Sequence, residues 1–593
     1  MALALLLASA TALADDASPP PASSPAPDNA SAPRAEALRY RVTIDAPKPL
    51  RDVLAASVDL VRWQDYEDMT PSLLDALARE AVDQAKEAAA TEGYFSANVD
   101  IDVDRSVQPL HVTVRVTPGT QARVNVTSID VTGAATTDSE GEEAIARIRR
   151  EWPLAPGAPF RQSVWTSAKS QLVATLAGNA FAAAKLVASE ASVDPDANSV
   201  DIAVTVESGP VFRVGDLDVE GLSRYSSDLV SRYRTRKPGD RYSLAELDQF
   251  VRRLNGTGYF ASVHAAIDTD PAKAAAAPVH VAVIEAPPKR IEAGFGYSTD
   301  TAFRANVSYR DVDFGAHALQ MYVDARVESK LQNASLRFVE PPNRSGWSRS
   351  TFARAERTDI SGLLTQTAVV GLRMSSLDER NQWQYGAAFY TDRQQPAGQP
   401  TDSSHALYVD VERAWRRVDD LAAPTKGWIA LAQVGAGVPG ASSRGFERVI
   451  VRSAFWEPLG RDWSLTARAE GGAVIAGDRT NIPSALLFRT GGDTTVRGYA
   501  FESLGIKSGD AILPARYYVS TSVEATRWIS DAWGIAAFID AGNAFDAVSD
   551  FTLAVGYGIG ARVKTPIGPF RLDVAYGEQS RQVRLHFSVG IAF

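Results

Sequence analysis

The sequence predicts three small α+β domains in series, followed by an antiparallel transmembrane β-barrel of about 16 strands. Three observations lead there. A short motif with an aromatic anchor recurs three times in the first half of the chain. From about residue 290, helical periodicity gives way to segments of about ten residues that alternate apolar and polar. An apolar leader opens the chain, as in exported proteins.

Composition bounds the possibilities first. At 593 residues the chain is long enough for several domains, and 45% apolar against 22% charged residues excludes a disordered chain. A net charge of −10 argues against a nucleic-acid partner. With no cysteine, a disulfide framework, a thiolate zinc site and a thiol nucleophile are all excluded.

Residues 1–14 (M-A-L-A-L-L-L-A-S-A-T-A-L-A) read as a signal peptide with the small-x-small site Ala12-Leu13-Ala14. The basic n-region such a signal carries is missing, so the expected start codon lies further upstream. Residues 15–37, rich in Pro, Ala and Ser, read as a flexible linker. No later segment approaches the ~18 uninterrupted apolar residues of a membrane helix, so any membrane crossing must use strands.

The repeats follow. E-G-Y-F-S-A-N-V (92–99), G-N-A-F-A-A-A-K (178–185) and T-G-Y-F-A-S-V-H (257–264) each succeed a helical pattern and precede a strand-like run. Their anchors Phe95, Phe181 and Phe260 lie roughly 80–90 residues apart, one small domain each. The expected domains span 38–120, 121–210 and 211–288, each built as strand, helices, strand, strand. All three anchors are expected in hydrophobic cores; the second, with G-N-A-F in place of G-Y-F, departs most from the pattern.

Residues 289–593 read as the barrel. In its last strand Val583, Leu585, Phe587, Val589, Ile591 and Phe593 share one face, and Arg584, His586, Ser588, Gly590 and Ala592 share the other. A soluble sandwich also alternates. Charges confined to one face, and aromatics near the strand ends of the other, favour a wet lumen inside lipid.

No catalytic constellation is present. The six histidines stand apart, and no nucleophile elbow or phosphate loop occurs, so neither enzyme nor cofactor is expected. What remains is polar and inward. Alternation turns Glu524 and Asp540 into the lumen, on successive strands close enough to share a partner. Just before them, in F-R-T-G-G-D-T-T-V-R-G-Y, Arg497 sits on a glycine-hinged loop with Gly498 and Tyr499. Its planar fork can bond two carboxylates at once. Pattern alone leaves the other reading open: two lumen-wetting acids and a surface arginine.

At these residues the chain resembles the BamA/TamA-type outer-membrane assembly superfamily. The carriers are V-R-G-Y (496–499), F-I-D-A-G-N-A-F (538–545), P-T-K-G-W (424–428) and G-I-G-A-R-V-K-T-P-I-G-P-F-R-L-D (558–573), in order behind repeats similar to POTRA domains. Within that superfamily, three repeats and a Pro-rich leader resemble the TamA type, the translocation and assembly module subunit. The resemblance implies a protein of the outer membrane with its POTRA domains in the periplasm. It implies that the loop folds into the lumen and that Arg497 docks on Glu524 and Asp540 as a structural lock. It also implies a TamB-like periplasmic partner and client barrel proteins of the autotransporter type.

Barrel closure pairs the first strand with the last. Gly294 and Gly296 weaken the first and Gly590 lies at the end of the last, so the expectation is a lateral seam that opens to the bilayer. Phe593, a terminal aromatic, resembles the signal by which outer-membrane barrels are recognised for assembly. Two other functions stay open: a two-partner-secretion-type translocating pore, and phospholipid transport to the outer membrane with the same partner.

Overall fold

The computed structural model describes residues 38–593 except 49, 299–301, 566–567 and 590–593. The expected signal peptide and linker, together with Gly590 and Phe593, lie outside the described residues. The chain divides into two compact units. One comprises residues up to Thr132 with Glu142–Thr175 and Lys185–Glu207; the other comprises Gly133–Gly141, Leu176–Ala184 and Ser208 onward.

The first unit holds two three-stranded sheets of one topology. In the first, Tyr40–Asp45 pairs parallel to Leu110–Thr117, which pairs antiparallel to Asn98–Asp104. In the second, Arg123–Thr132 pairs parallel to Ser199–Glu207, which pairs antiparallel to Lys185–Asp194. The long helix Pro71–Thr91 starts where proline suits its first turn, with the Thr70 hydroxyl accepting from the Leu73 amide. Its small face of Ala81, Ala85, Ala88 and Ala89 lets it approach the core of Leu50, Leu54, Val112 and Val114 closely.

Phe95 departs from expectation: it is half-buried rather than in the core, its ring 6.1 Å from that of Phe160. The cause is the turn before it. Gly93 has φ +87°, and a Cβ there would stand 2.3 Å from the Phe160 carbonyl oxygen. That turn aims Tyr94 at the first core and Phe95 at Phe160.

In the second unit Phe181 is fully buried, although its motif departs most from the other two. The third repeat pairs Val214–Glu220 parallel to Ala277–Glu285, which pairs antiparallel to Phe260–Ile267. Its core holds Phe212, Phe250, Leu254, Tyr259 and Phe260. Arg241 donates two bonds of 2.8 Å to the two Asp138 oxygens, and this holds the Asp138 carboxyl below the usual carboxylate range.

This repeat is fastened to the barrel that follows. Arg310 Nη2 and Gln320 Nε2 both donate to the Thr257 carbonyl, at 2.6 and 2.9 Å, satisfying the C-terminus of helix Leu244–Thr257. The Tyr259 hydroxyl donates to the Ala318 carbonyl at 2.6 Å, and Val312 packs in the repeat's core.

The barrel is one 16-stranded antiparallel sheet in which each strand pairs with the next in sequence, from Lys289–Ser298 to Gln582–Val589. Alternation sorts its faces. Val523, Ile535, Ile539, Ile559, Val574 and Val583 are exposed on the outside, where lipid belongs; Ser522, Asp540, Arg562, Asp573 and His586 are buried inside. Gly294 and Gly296 lie within an unbroken ladder, opposite Asn306 and Arg304. Among the described residues no ladder joins the first strand to the last. The P-T-K-G-W segment closes a turn: Asp419 Oδ1 accepts from the Thr425 and Lys426 amides at 3.0 and 3.1 Å. No described helix is long and apolar enough to cross a membrane.

Candidate functional site

The segment between strands Trp463–Ile475 and Tyr517–Trp528 folds back onto the inward face of the sheet. Apolar side chains drive its docking. Ile482, Leu486, Leu487 and Phe488 are buried against Tyr408, Phe446, Ile450 and Tyr518, and Phe488 stacks on Tyr518 with centroids 4.5 Å apart. Polar ties fix its register. Ser484 donates its amide and hydroxyl to Asp392 at 2.8 and 2.9 Å, Arg448 Nε donates to the Leu486 carbonyl at 2.9 Å, and the Ile512 amide to Ser361 at 2.9 Å.

At its far side Arg497, only 2% exposed, meets the strands that follow. Nε and Nη2 form a fork onto Asp540, at 2.7 Å to Oδ2 and 2.8 Å to Oδ1. Nη1 donates to Glu524 at 2.9 Å and to Asp573 at 3.1 Å, and Nη2 to the Ser522 hydroxyl at 3.3 Å. The backbone amide of Arg497 adds a 3.0 Å bond to Asp540 Oδ2. The guanidinium carbon lies 3.3 Å from the ring centre of Phe538, where the π face favours a cation.

Beside Arg497, Gly498 has φ +91°, and a Cβ there would stand 2.7 Å from the Gly577 nitrogen. Its amide donates to His586 Nε2 at 3.0 Å. The Tyr499 hydroxyl donates to the Val555 carbonyl at 3.2 Å and accepts from the Gln579 amide at 3.1 Å. The expected residues Arg497, Gly498, Tyr499, Glu524 and Asp540 therefore meet in one cluster. Gly294 and Gly296 belong to a different part of the sheet.

Sequence reasoning missed four participants. Arg562 bonds Glu524 through Nε and Nη2 at 2.7 and 2.6 Å, and Asp573 through Nη1 at 2.6 Å. Two guanidiniums thus stitch three carboxylates carried by three strands, with Arg562 itself on a fourth. The third is His586. The fourth is the stripe Gly556, Gly558 and Gly560: a Cβ at Gly556 would lie 1.8 Å from the Arg497 carbonyl oxygen, and one at Gly560 1.8 Å from Asp573 Oδ1. The available signal was G-x-G-x-G in inward register. Among the described residues no group of three or more His, Asp or Glu is placed to hold a metal ion. The cluster's five charged side chains, Arg497, Arg562, Glu524, Asp540 and Asp573, satisfy one another; their chemistry is cohesion.

Comparison with known proteins places this architecture. The model of the Omp85 superfamily domain matches residues 288–593, more than half of the chain. The chain belongs to the Omp85 superfamily. Residues 42–118 match the POTRA domain described as TamA domain 1, and residues 212–286 match a POTRA family described as surface antigen variable number repeat. Among solved structures, BamA from Haemophilus ducreyi lacking POTRA domains 1–3 is similar, at 17% identity with a TM-score of 0.57, over 79% of this chain and 100% of that one. CdiB from Acinetobacter baumannii aligns at 13% identity with a TM-score of 0.45, over 79% of this chain and 89% of that one. This is therefore an outer-membrane barrel with periplasmic POTRA domains, like other Omp85 chains.

Proposed function

We propose that this Omp85 protein assists the folding and insertion of client β-barrels, of the autotransporter type, into the outer membrane. The site is the seam between strands Lys289–Ser298 and Gln582–Val589. The observation that carries the reading is the unladdered pair of end strands in an otherwise continuous sheet, as far as the described residues extend. An unpaired edge templates a foreign strand, and a client that exchanges hydrogen bonds with it enters hydrocarbon without bare backbone. Client folding supplies the driving force. A TamB-like partner would deliver clients to the POTRA domains, a role consistent with the TamA-type match of the first.

A two-partner-secretion-type pore would require the inward loop to leave the lumen, against its apolar packing and the Arg497 cluster. The protein has no native cysteine, so a disulfide between Gly294→Cys and Gly590→Cys isolates the seam. Oxidation should stop client insertion into reconstituted bilayers and reduction restore it. A locked barrel that inserts clients at the normal rate would overturn the proposal. A deletion strain whose outer membrane changes in phospholipid but not in protein content would replace it with lipid transport.

A further inference from the structure

His586 is 2% exposed and lies on the last described strand, opposite Asp573. Its Nε2 accepts the Gly498 amide at 3.0 Å. A ring nitrogen that accepts an N–H must carry its lone pair, so the imidazole is neutral with its proton on Nδ1. Nδ1 is itself buried and finds no partner among the described residues. Protonation would put an N–H on both ring nitrogens, leaving the Gly498 N–H facing a second donor.

We propose that His586 is a proton-sensitive latch. Neutral, it ties the inward loop to the last strand; protonated, it releases the Gly498 amide and frees that strand. Groups from every neighbouring element bear on it. Burial of the ring opposes its charge; around it stand the carboxylates of Asp493 on the loop and Asp573 on the adjacent strand, and the guanidiniums of Arg497 on the loop and Arg584 on its own strand. Arg562 is held by Glu524 and Asp573, and on the first strand Arg290 pairs with Glu292. The directly bonded cluster of Arg497, Arg562, Glu524, Asp540 and Asp573 carries one excess negative charge. A cation at His586 would neutralise it in exchange for the lost hydrogen bond. The link from latch to client insertion rests on the seam proposed above; the latch itself does not.

The test uses the full chain in vesicles of phosphatidylethanolamine and phosphatidylglycerol. Hydrogen exchange is read at the peptide containing Gly498, between pH 8 and pH 4.5, and corrected for the intrinsic pH dependence of exchange. Wild-type protection should fall about fivefold on acidification, the Boltzmann factor of one ordinary hydrogen bond. His586→Gln offers an acceptor near the Nε2 position and does not titrate, so its protection should stay constant. His586→Ala should match acidified wild type at every pH. Unchanged wild-type protection, or a parallel fall in the Gln variant, would overturn the latch. Cross-linking of the cysteine pair at 294 and 590 should change with pH in wild type and not in His586→Gln. A flat wild-type response there would overturn the coupling of latch to seam, whether or not the locked barrel inserts clients.

Discussion

Replacing Arg497 with alanine tests the lock most directly. The substitution removes five side-chain hydrogen bonds, two of them to Asp540, which has no exposed surface at all. Glu524 and Asp573 keep Arg562, so their charges stay compensated. Asp540 keeps only the backbone amide of residue 497 and becomes a buried carboxylate without a cation. Breaking a buried ion pair from one side costs about 3–5 kcal/mol, most of it the stranded charge. Asp540→Asn in the Arg497→Ala background removes that charge, so the double variant should recover roughly half of the loss. The assay is denaturant unfolding of the barrel in micelles, followed through its heat-modifiable gel mobility. Two results would refute the reasoning: Arg497→Ala within about 0.5 kcal/mol of wild type, the range of an uninvolved surface site, or a double variant as unstable as the sum of the two singles. Arg497→Lys separates charge from geometry, because an ammonium cannot reproduce the fork onto Asp540 while also reaching Glu524 and Asp573.

Three further outcomes follow from the same geometry. Gly556→Ala drives a methyl into the Arg497 carbonyl and should destabilise the barrel by several kcal/mol, on the order of a severe overpacking substitution, whereas Gly296→Ala, with nothing within 4 Å of its Cβ, should be nearly silent in the same unfolding assay. Phe181→Ala should cost about 3–5 kcal/mol and half-buried Phe95→Ala clearly less, measured by denaturation of the periplasmic domains within the full chain. Because Arg241 depresses the Asp138 carboxyl, their pair stabilises fully above the ordinary carboxylate range and is lost as pH falls through the lowered value; Arg241→Ala should abolish that acid-dependent component of stability, read by pH titration of the unfolding midpoint.

The strands were legible in the sequence because lipid and water impose opposite demands on alternate residues. Val583 and Leu585 against Arg584 and His586 is a pattern that no helix satisfies. The repeat topology was legible because each helix-to-strand turn carries its own glycine or aromatic. The fate of those aromatics was not: Phe95 follows a left-handed glycine whose consequence depends on the neighbouring Phe160, far away in sequence. The loop had no periodicity to read, since its conformation is set by what it docks on. Arg562 and Asp573 were legible as inward residues but not as members of the cluster. Adjacent-strand pairing could suggest Glu524 with Asp540, but Arg562 meets Glu524 across two strand intervals, a match fixed by the register of each ladder. His586 looked like one isolated histidine among six for the same reason.

The cluster also bears on which side of a seam yields. Side chains tie Tyr517–Trp528, Trp533–Phe545, Ala554–Thr565 and Gly568–Gly577 to one another, and the loop joins them to Gln582–Val589 through His586. Among the described residues the first strand has no comparable tie within the lumen: Arg290 bonds Glu292 of its own strand, and Gly294 and Gly296 offer no side chains. The next two strands do better, with Arg304 of Ala302–Phe314 and Arg326 of Leu319–Glu328 both on the buried Glu328. Thermal opening should therefore begin at Lys289–Ser298, which loses one ladder, and not at the C-terminal wall, which must also break charge-assisted bonds. Hydrogen exchange resolves the two: segment 289–298 should exchange faster than 582–589 in wild type, and Arg497→Ala should narrow the difference by accelerating 582–589. Faster exchange at 582–589 in wild type would place the weak wall on the other side and leave the lock without this role.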